Sequence, residues 1–186
     1  MKTAKSTPAL ASSAPLQGFS YSRPFFEELV DLSLAHAKKL GATDAGAEAS
    51  EGCGLSVSVR KGALETVERN RDKSLGVTVY VGQRRGNAST SDFSQAAIER
   101  TVQAAYDIAR FTAEDSCAGL PEARLLAKES PDPDLYYPWE LPIEEAIEIA
   151  RRCEQAAFAV SPLIANTEGA GVSVQQSQFV SVNSLG

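Results

Sequence analysis

Histidine is almost missing from this chain. Of 186 residues only His36 is a histidine, whereas an imidazole acting on a nucleophile, or zinc held by an H-E-x-x-H helix, needs that residue in specific company. His36 falls in a helical pattern, where a lone imidazole reads as a surface or boundary residue. Cysteine is scarce too. Cys53, Cys117 and Cys153 are odd in number and widely spaced, with no C-x-x-C pair to form a metal knuckle or redox dithiol, which points to a reducing compartment. No apolar stretch reaches the ~18 residues of a membrane span, and the first twenty residues lack the apolar run of a signal peptide. A cytoplasmic protein with no membrane partner is expected. Positive charge is also in deficit: 18 Lys and Arg against 24 Asp and Glu give a net charge of -6. Such a balance suits phosphate backbones poorly, so nucleic acid is not an expected partner.

What remains is the pattern of an ordinary folded chain, 43% hydrophobic and 23% charged. Residues 1–23 read as a flexible tail of Ser, Ala and Pro. From Pro24, apolar residues Phe25, Phe26, Leu29, Val30, Ala37 and Leu40 recur at helical spacing, with Ser22 as cap, Pro24 in the first turn and Gly41 as stop. The period then falls to two. Leu55, Val57 and Val59 alternate with polar residues, Lys61-Gly62 makes a turn, and 63–69 returns with Leu64 or Val67 inward. Leu75, Val77, Val79 and Val81 mark the clearest strand. Gly82 to Gly86 turns it back into 87–91. A second helix is expected from Asp92, with Asp92 and Gln95 as a capping box and Ile98, Val102, Ala105 and Ala109 inward. Residues 24–118 thus read as a first α+β domain, an antiparallel sheet of hairpins covered by helices.

Five of the nine prolines lie between Pro121 and Pro142, so 119–141 reads as a Pro-rich connector, pinned at one end by Tyr136, Tyr137 or Trp139. A third helix follows from Pro142 to about Val160, with Ile143, Ala146, Ile147, Ala150, Cys153 and Ala157 as its buried side and acidic residues complementing its dipole. The passage from Asn166 through Gly169 and Gly171 into Val172 echoes the passage from Glu48 through Gly52 and Gly54 into Leu55. A helix, strand and glycine-turn unit therefore occurs twice, and the second copy, over 142–186, is incomplete. Val172, Val174, Val180 and Val182 would then lack partners, and further polypeptide would complete that sheet.

Little of this carries chemistry. Gly52-Cys53-Gly54 precedes a strand, with Val57 at the third glycine position of a dinucleotide fingerprint, and Gly82 to Gly86 has no phosphate-loop lysine. Both read as turns. Arg84 and Arg85 are the binding candidates, able to meet carboxylates or peptide carbonyls at a hairpin tip, or else simply charges that keep a turn solvated.

The segments Asp44 to Glu48, Leu55 to Arg60, Ser74 to Tyr80, Ala88 to Asp92, Thr101 to Ala105 and Asn166 to Gly169 resemble the amino-terminal region of the PmbA (TldE) type of subunit in the TldD/PmbA peptidase family. The resemblance implies an α+β fold and membership of a two-subunit cytosolic proteolytic complex acting on peptides, through leader trimming and degradation of unfolded chains. It implies that zinc sits in the TldD-type partner, on an H-E-x-x-x-H helix and a cysteine. No position here matches those ligands, so no catalytic, metal or cofactor residue is carried over, and this chain alone is expected to be inert. The alternative is a non-proteolytic interaction module that recruits a protein through an open strand edge.

Overall fold

A computed structural model describes residues 18–127, 129 and 131–186. The elements are α1 (Arg23–Leu40), β1 (Asp44–Arg60), β2 (Ala63–Val81), β3 (Arg84–Thr90), α2 (Gln95–Phe111), a single 3-10 turn (Ala123–Leu125), α3 (Ile143–Ala159) and β4 (Ala170–Asn183). The strands form one sheet in the order β3-β2-β1-β4, the α+β fold expected. Most of the proposed tail, residues 1–17, lies outside the described residues. From Phe19, 7% exposed, the chain is already packed, and Ser22 caps α1 by accepting from the Phe25 N–H at 3.4 Å.

The chain divides into two compact units that do not follow consecutive blocks of sequence. Among the described residues, unit 1 takes 18–51, 73–127 and 178–186, and unit 2 takes 52–72, 129 and 131–177. The interleaving arises because β1, β2 and β4 run longer than the sequence pattern indicates. Gly52-Cys53-Gly54 is not a turn but the middle of β1, and none of the three has a positive φ. Likewise the two strands expected at 63–69 and 75–81 are one continuous β2. Glycine weakens a strand without forbidding it, and the pairing on both flanks of β1 holds it extended.

In unit 1, Ala45, Ala47 and Ala49 of β1 and Leu75, Val77 and Val79 of β2 pack against Phe26, Leu29 and Val30 of α1 and Ile98, Val102, Ala105 and Ala109 of α2. Each branched side chain here contributes about 1.5–3 kcal/mol by leaving water. The second hairpin is tighter than its glycines suggest. Val81 pairs with Arg84, leaving only Gly82 and Gln83 between the strands, and Gly82 takes φ +58, as the first central position of a type II′ turn requires. The start of α2 also differs from the expected capping box. Ser94 is the cap, accepting from the Ala97 N–H, and the Asp92 carboxylate accepts from the Ser94 N–H at 2.9 Å. Those bonds from Ser94 hold the Asp92 carboxyl below its ordinary range.

In unit 2, Leu55 and Val57 of β1 pack with Leu141 and Ala146, flanked by Ile143, Ile147, Val172 and Val174. The β4 valines are therefore not unpartnered. Val172 and Val174 join this core, and Val180 and Val182 join that of unit 1, because β4 extends the existing sheet beside β1 rather than opening a second one. Leu64 and Val67 are 46% and 40% exposed, against the expected inward placement, and residues 63–72 are exposed throughout.

At Gly86 the backbone of α2 lies close against β3. A Cβ there would collide with the backbone of Ala105 and Ala109, which cannot swing away as a side chain can. Gly86→Val is expected to destabilise the fold by about 1–3 kcal/mol or more through overpacking, read as a lowered urea midpoint. An unchanged midpoint would show that α2 does not lean on β3 there.

Candidate functional site

Two buried carboxylates dominate the polar interior. In unit 1 the alternation Ala45, Ala47, Ala49 continues to Glu51, which is 2% exposed. Both of its oxygens accept from the Ser20 N–H at 2.9 Å, and Oε2 also accepts from the Tyr21 N–H at 3.2 Å. Gln178 donates to the Tyr21 carbonyl, and Lys73 donates to the Tyr21 hydroxyl at 2.7 Å while lying over the Tyr21 and Phe93 rings. The chain ahead of α1 is thereby fastened to the sheet.

Unit 2 contains a second such carboxylate. The β1–β2 turn has Lys61 at φ +52 and Gly62 at φ +74, the two left-handed residues of a type I′ hairpin. Their N–H groups point at Glu154 of α3, which is 3% exposed and accepts from Lys61 and from Gly62 at 2.7 Å each. Arg151 donates back to the Gly62 carbonyl at 3.0 Å. The buried stripe of α3 therefore runs Ala146, Ala150, Glu154, and the cysteine and alanine expected beside it, Cys153 and Ala157, are exposed. Helical spacing would have reached Glu154, four residues beyond Ala150, had its charge not argued against burial.

The concave surface of unit 2 is a groove of about 600 Å³. Cys53 and Leu55 of β1, Arg69 and Arg71 of β2, and Val174 and Gln176 of β4 line it, with Trp139, Glu140 and Leu141 of the connector. Leu141, not an aromatic, is the buried anchor of that connector: Tyr137 and Trp139 are 74% and 51% exposed. The Tyr136 hydroxyl donates to Gln176 Oε1 at 3.3 Å. Burial first, then the nearby Cys53 and Glu140, push its phenol above the ordinary value.

Arg84 and Arg85 directly follow the two-residue turn of the second hairpin. They are the first two residues of β3, paired with Val81 and Tyr80. Arg84 donates to the Arg110 carbonyl and to Glu114, both at 3.1 Å, and so closes the end of α2, while Arg85 is exposed and donates to Asn87. His36 is half-buried on α1. Among the described residues, no three His, Cys, Asp or Glu side chains come together as a metal-ligand set, so the donors present do not fit a zinc site. No helix there is long and apolar enough to cross a membrane.

Two family models match the chain, PmbA/TldA metallopeptidase domain 1 over residues 47–109 and the PmbA/TldA metallopeptidase central domain over 136–186. The chain belongs to the TldD/PmbA family. Among relatives, metalloprotease PmbA of Escherichia coli O157:H7 is 50% identical over 149 residues, covering 79% of this chain and 32% of that protein. The Haemophilus influenzae homologue is 42% identical, covering 78% and 33%. The chain spans about a third of the length of these curated relatives. A Bacteroides thetaiotaomicron structure described as a modulator of DNA gyrase shares the fold at TM-score 0.69 and 20% identity, covering 86% of this chain and 37% of that one. TldE from Thermococcus kodakarensis does so at 0.65 and 16%, covering 87% and 35%. Both domain matches of this TldD/PmbA chain include residues of the groove.

Two measurements check the site. Glu154→Gln leaves one acceptor for two amide donors and is expected to cost about 1.5–3 kcal/mol in urea unfolding, with Glu154→Ala costing more; a neutral outcome would show that the turn holds without its anchor. The difference in ultraviolet pH titration between the parent and Tyr136→Phe should show a phenol ionising above pH 10.0. Because its folded value is raised, the stability tied to Tyr136 is complete below pH 10.0 and falls as pH rises through the folded value. A Tyr136 midpoint at or below pH 10.0 would contradict the burial that raises it.

Proposed function

We propose that this chain supplies the amino-terminal region of the non-metal, PmbA-type subunit of a two-subunit cytoplasmic metallopeptidase, in which a TldD-type partner holds zinc and peptides are the substrate. The observation that carries this reading is the match to the first and central domains of the family, together with 50% identity to metalloprotease PmbA over 149 residues. The buried acids add to it. General acid or base work needs a carboxylate that reaches a substrate proton, and Glu51 and Glu154 both accept from backbone amides. The role of these residues is architectural: Glu51 fastens the segment before α1, and Glu154 ties the β1–β2 turn to α3. Three free cysteines suit a reducing cytoplasm.

The test is peptide cleavage by this chain, by a TldD-type subunit, and by the two together. Chelator-sensitive cleavage that requires the TldD-type subunit, and that persists when His36→Ala is introduced here, is the expected outcome. Zinc-dependent cleavage by this chain alone would overturn the reading. A second reading, an interaction module without proteolysis, draws on the terminal place of β4 in the sheet, which leaves one strand edge available for augmentation. A stable complex through that edge, with no peptide cleaved by any combination of subunits, would favour it.

A further inference from the structure

The groove of unit 2 combines features that select a ligand. Arg69 and Arg71 are two residues apart on β2, an interval that sends both side chains to one side of the strand about 6.6 Å apart. Arg69 is exposed and takes part in no ion pair among the described residues. Trp139, half-exposed, lines the same concavity together with Leu55 and Val174, and Glu140 lies on its wall. An arginine fork matches a planar carboxylate in two parallel hydrogen bonds. A peptide, the substrate class of the reading above, brings carboxylates to such a fork. The indole and aliphatic surface next to it takes a large apolar group.

We propose that this groove binds a peptide segment in which an acidic side chain neighbours a large apolar one, the carboxylate on Arg69 and the apolar group against Trp139. The choice of a peptide rests on the peptidase reading above; the choice of residues rests on the groove itself. It would make this region a substrate-selecting surface.

Trp139 is the one tryptophan of the chain, so its fluorescence reports on the groove directly. The probe is a blocked hexapeptide alternating phenylalanine and glutamate, titrated against the 186-residue chain. A saturable change in emission is expected, with affinity about tenfold weaker when glutamine replaces glutamate and about tenfold weaker in Arg69→Ala. Arg69 is exposed, so its circular dichroism spectrum should match the parent's, and calorimetry with Trp139→Phe should show weakened binding without relying on the reporter. Equal affinity for the glutamine peptide, unchanged binding by Arg69→Ala, or no saturation up to about 1 mM would each overturn the proposal. Binding is read without cleavage, so failure of the two-subunit reading leaves a positive result standing. A working partner-dependent peptidase whose groove binds nothing overturns this proposal alone.

Discussion

A carboxylate taken out of water must be given donors, and this requirement organises both units. The unpaired cost is several kcal/mol per ion. Glu51 and Glu154 meet it with backbone N–H groups: Ser20 and Tyr21 for the first, Lys61 and Gly62 for the second. Each anchor joins segments far apart in sequence, 31 residues in one case and 93 in the other. Burying apolar area is indifferent to which residues meet. A carboxylate between two amides is not, so these contacts set where the pre-α1 segment ends and where α3 lies along the hairpin of unit 2. Among the described residues no buried side-chain nitrogen or oxygen lacks a hydrogen-bond partner.

The same economy bears on function. Acidic residues in a peptidase-family chain invite a catalytic reading, but the two buried ones here are engaged by backbone and the remainder lie at or near the surface. What the molecule offers to other molecules is shape: a strand at the end of a sheet, and a groove lined by β1, β2, β4 and the connector. In a chain that matches the family's first and central domain models over residues 47–109 and 136–186, these are the surfaces on which the proposed roles rest.

Much of unit 1 is legible in the sequence, because its elements obey one period each. Ser22, Pro24 and Gly41 bound α1, and the Ile98, Val102, Ala105 and Ala109 stripe is buried as a 3.6 period requires. Unit 2 is harder to read for physical reasons. Its strands are continuous through Gly52 and Gly54, residues that signal turns unless long-range pairing holds them extended, and local sequence carries no record of that pairing. The exposure of Leu64 and Val67 is similarly invisible, since an alternating strand looks the same whether or not anything covers it. Glu51 and Glu154 occupy inward positions that alternation and helical spacing do indicate, yet charge argues for the surface and the compensating amides belong to distant residues. The groove was missed for the same reason: Arg69, Trp139 and Gln176 come together only once β2, the connector and β4 are placed.

Residue-resolved hydrogen exchange on the native chain tests the anchoring most directly. The Ser20, Tyr21, Lys61 and Gly62 amides lie in a segment before a helix and in a hairpin turn, settings that ordinarily exchange fast. Slow exchange at all four, with Ser20 and Tyr21 released by Glu51→Gln and Lys61 and Gly62 by Glu154→Gln, is the predicted result. Fast exchange at these amides in the unaltered chain would show that the carboxylates do not hold them.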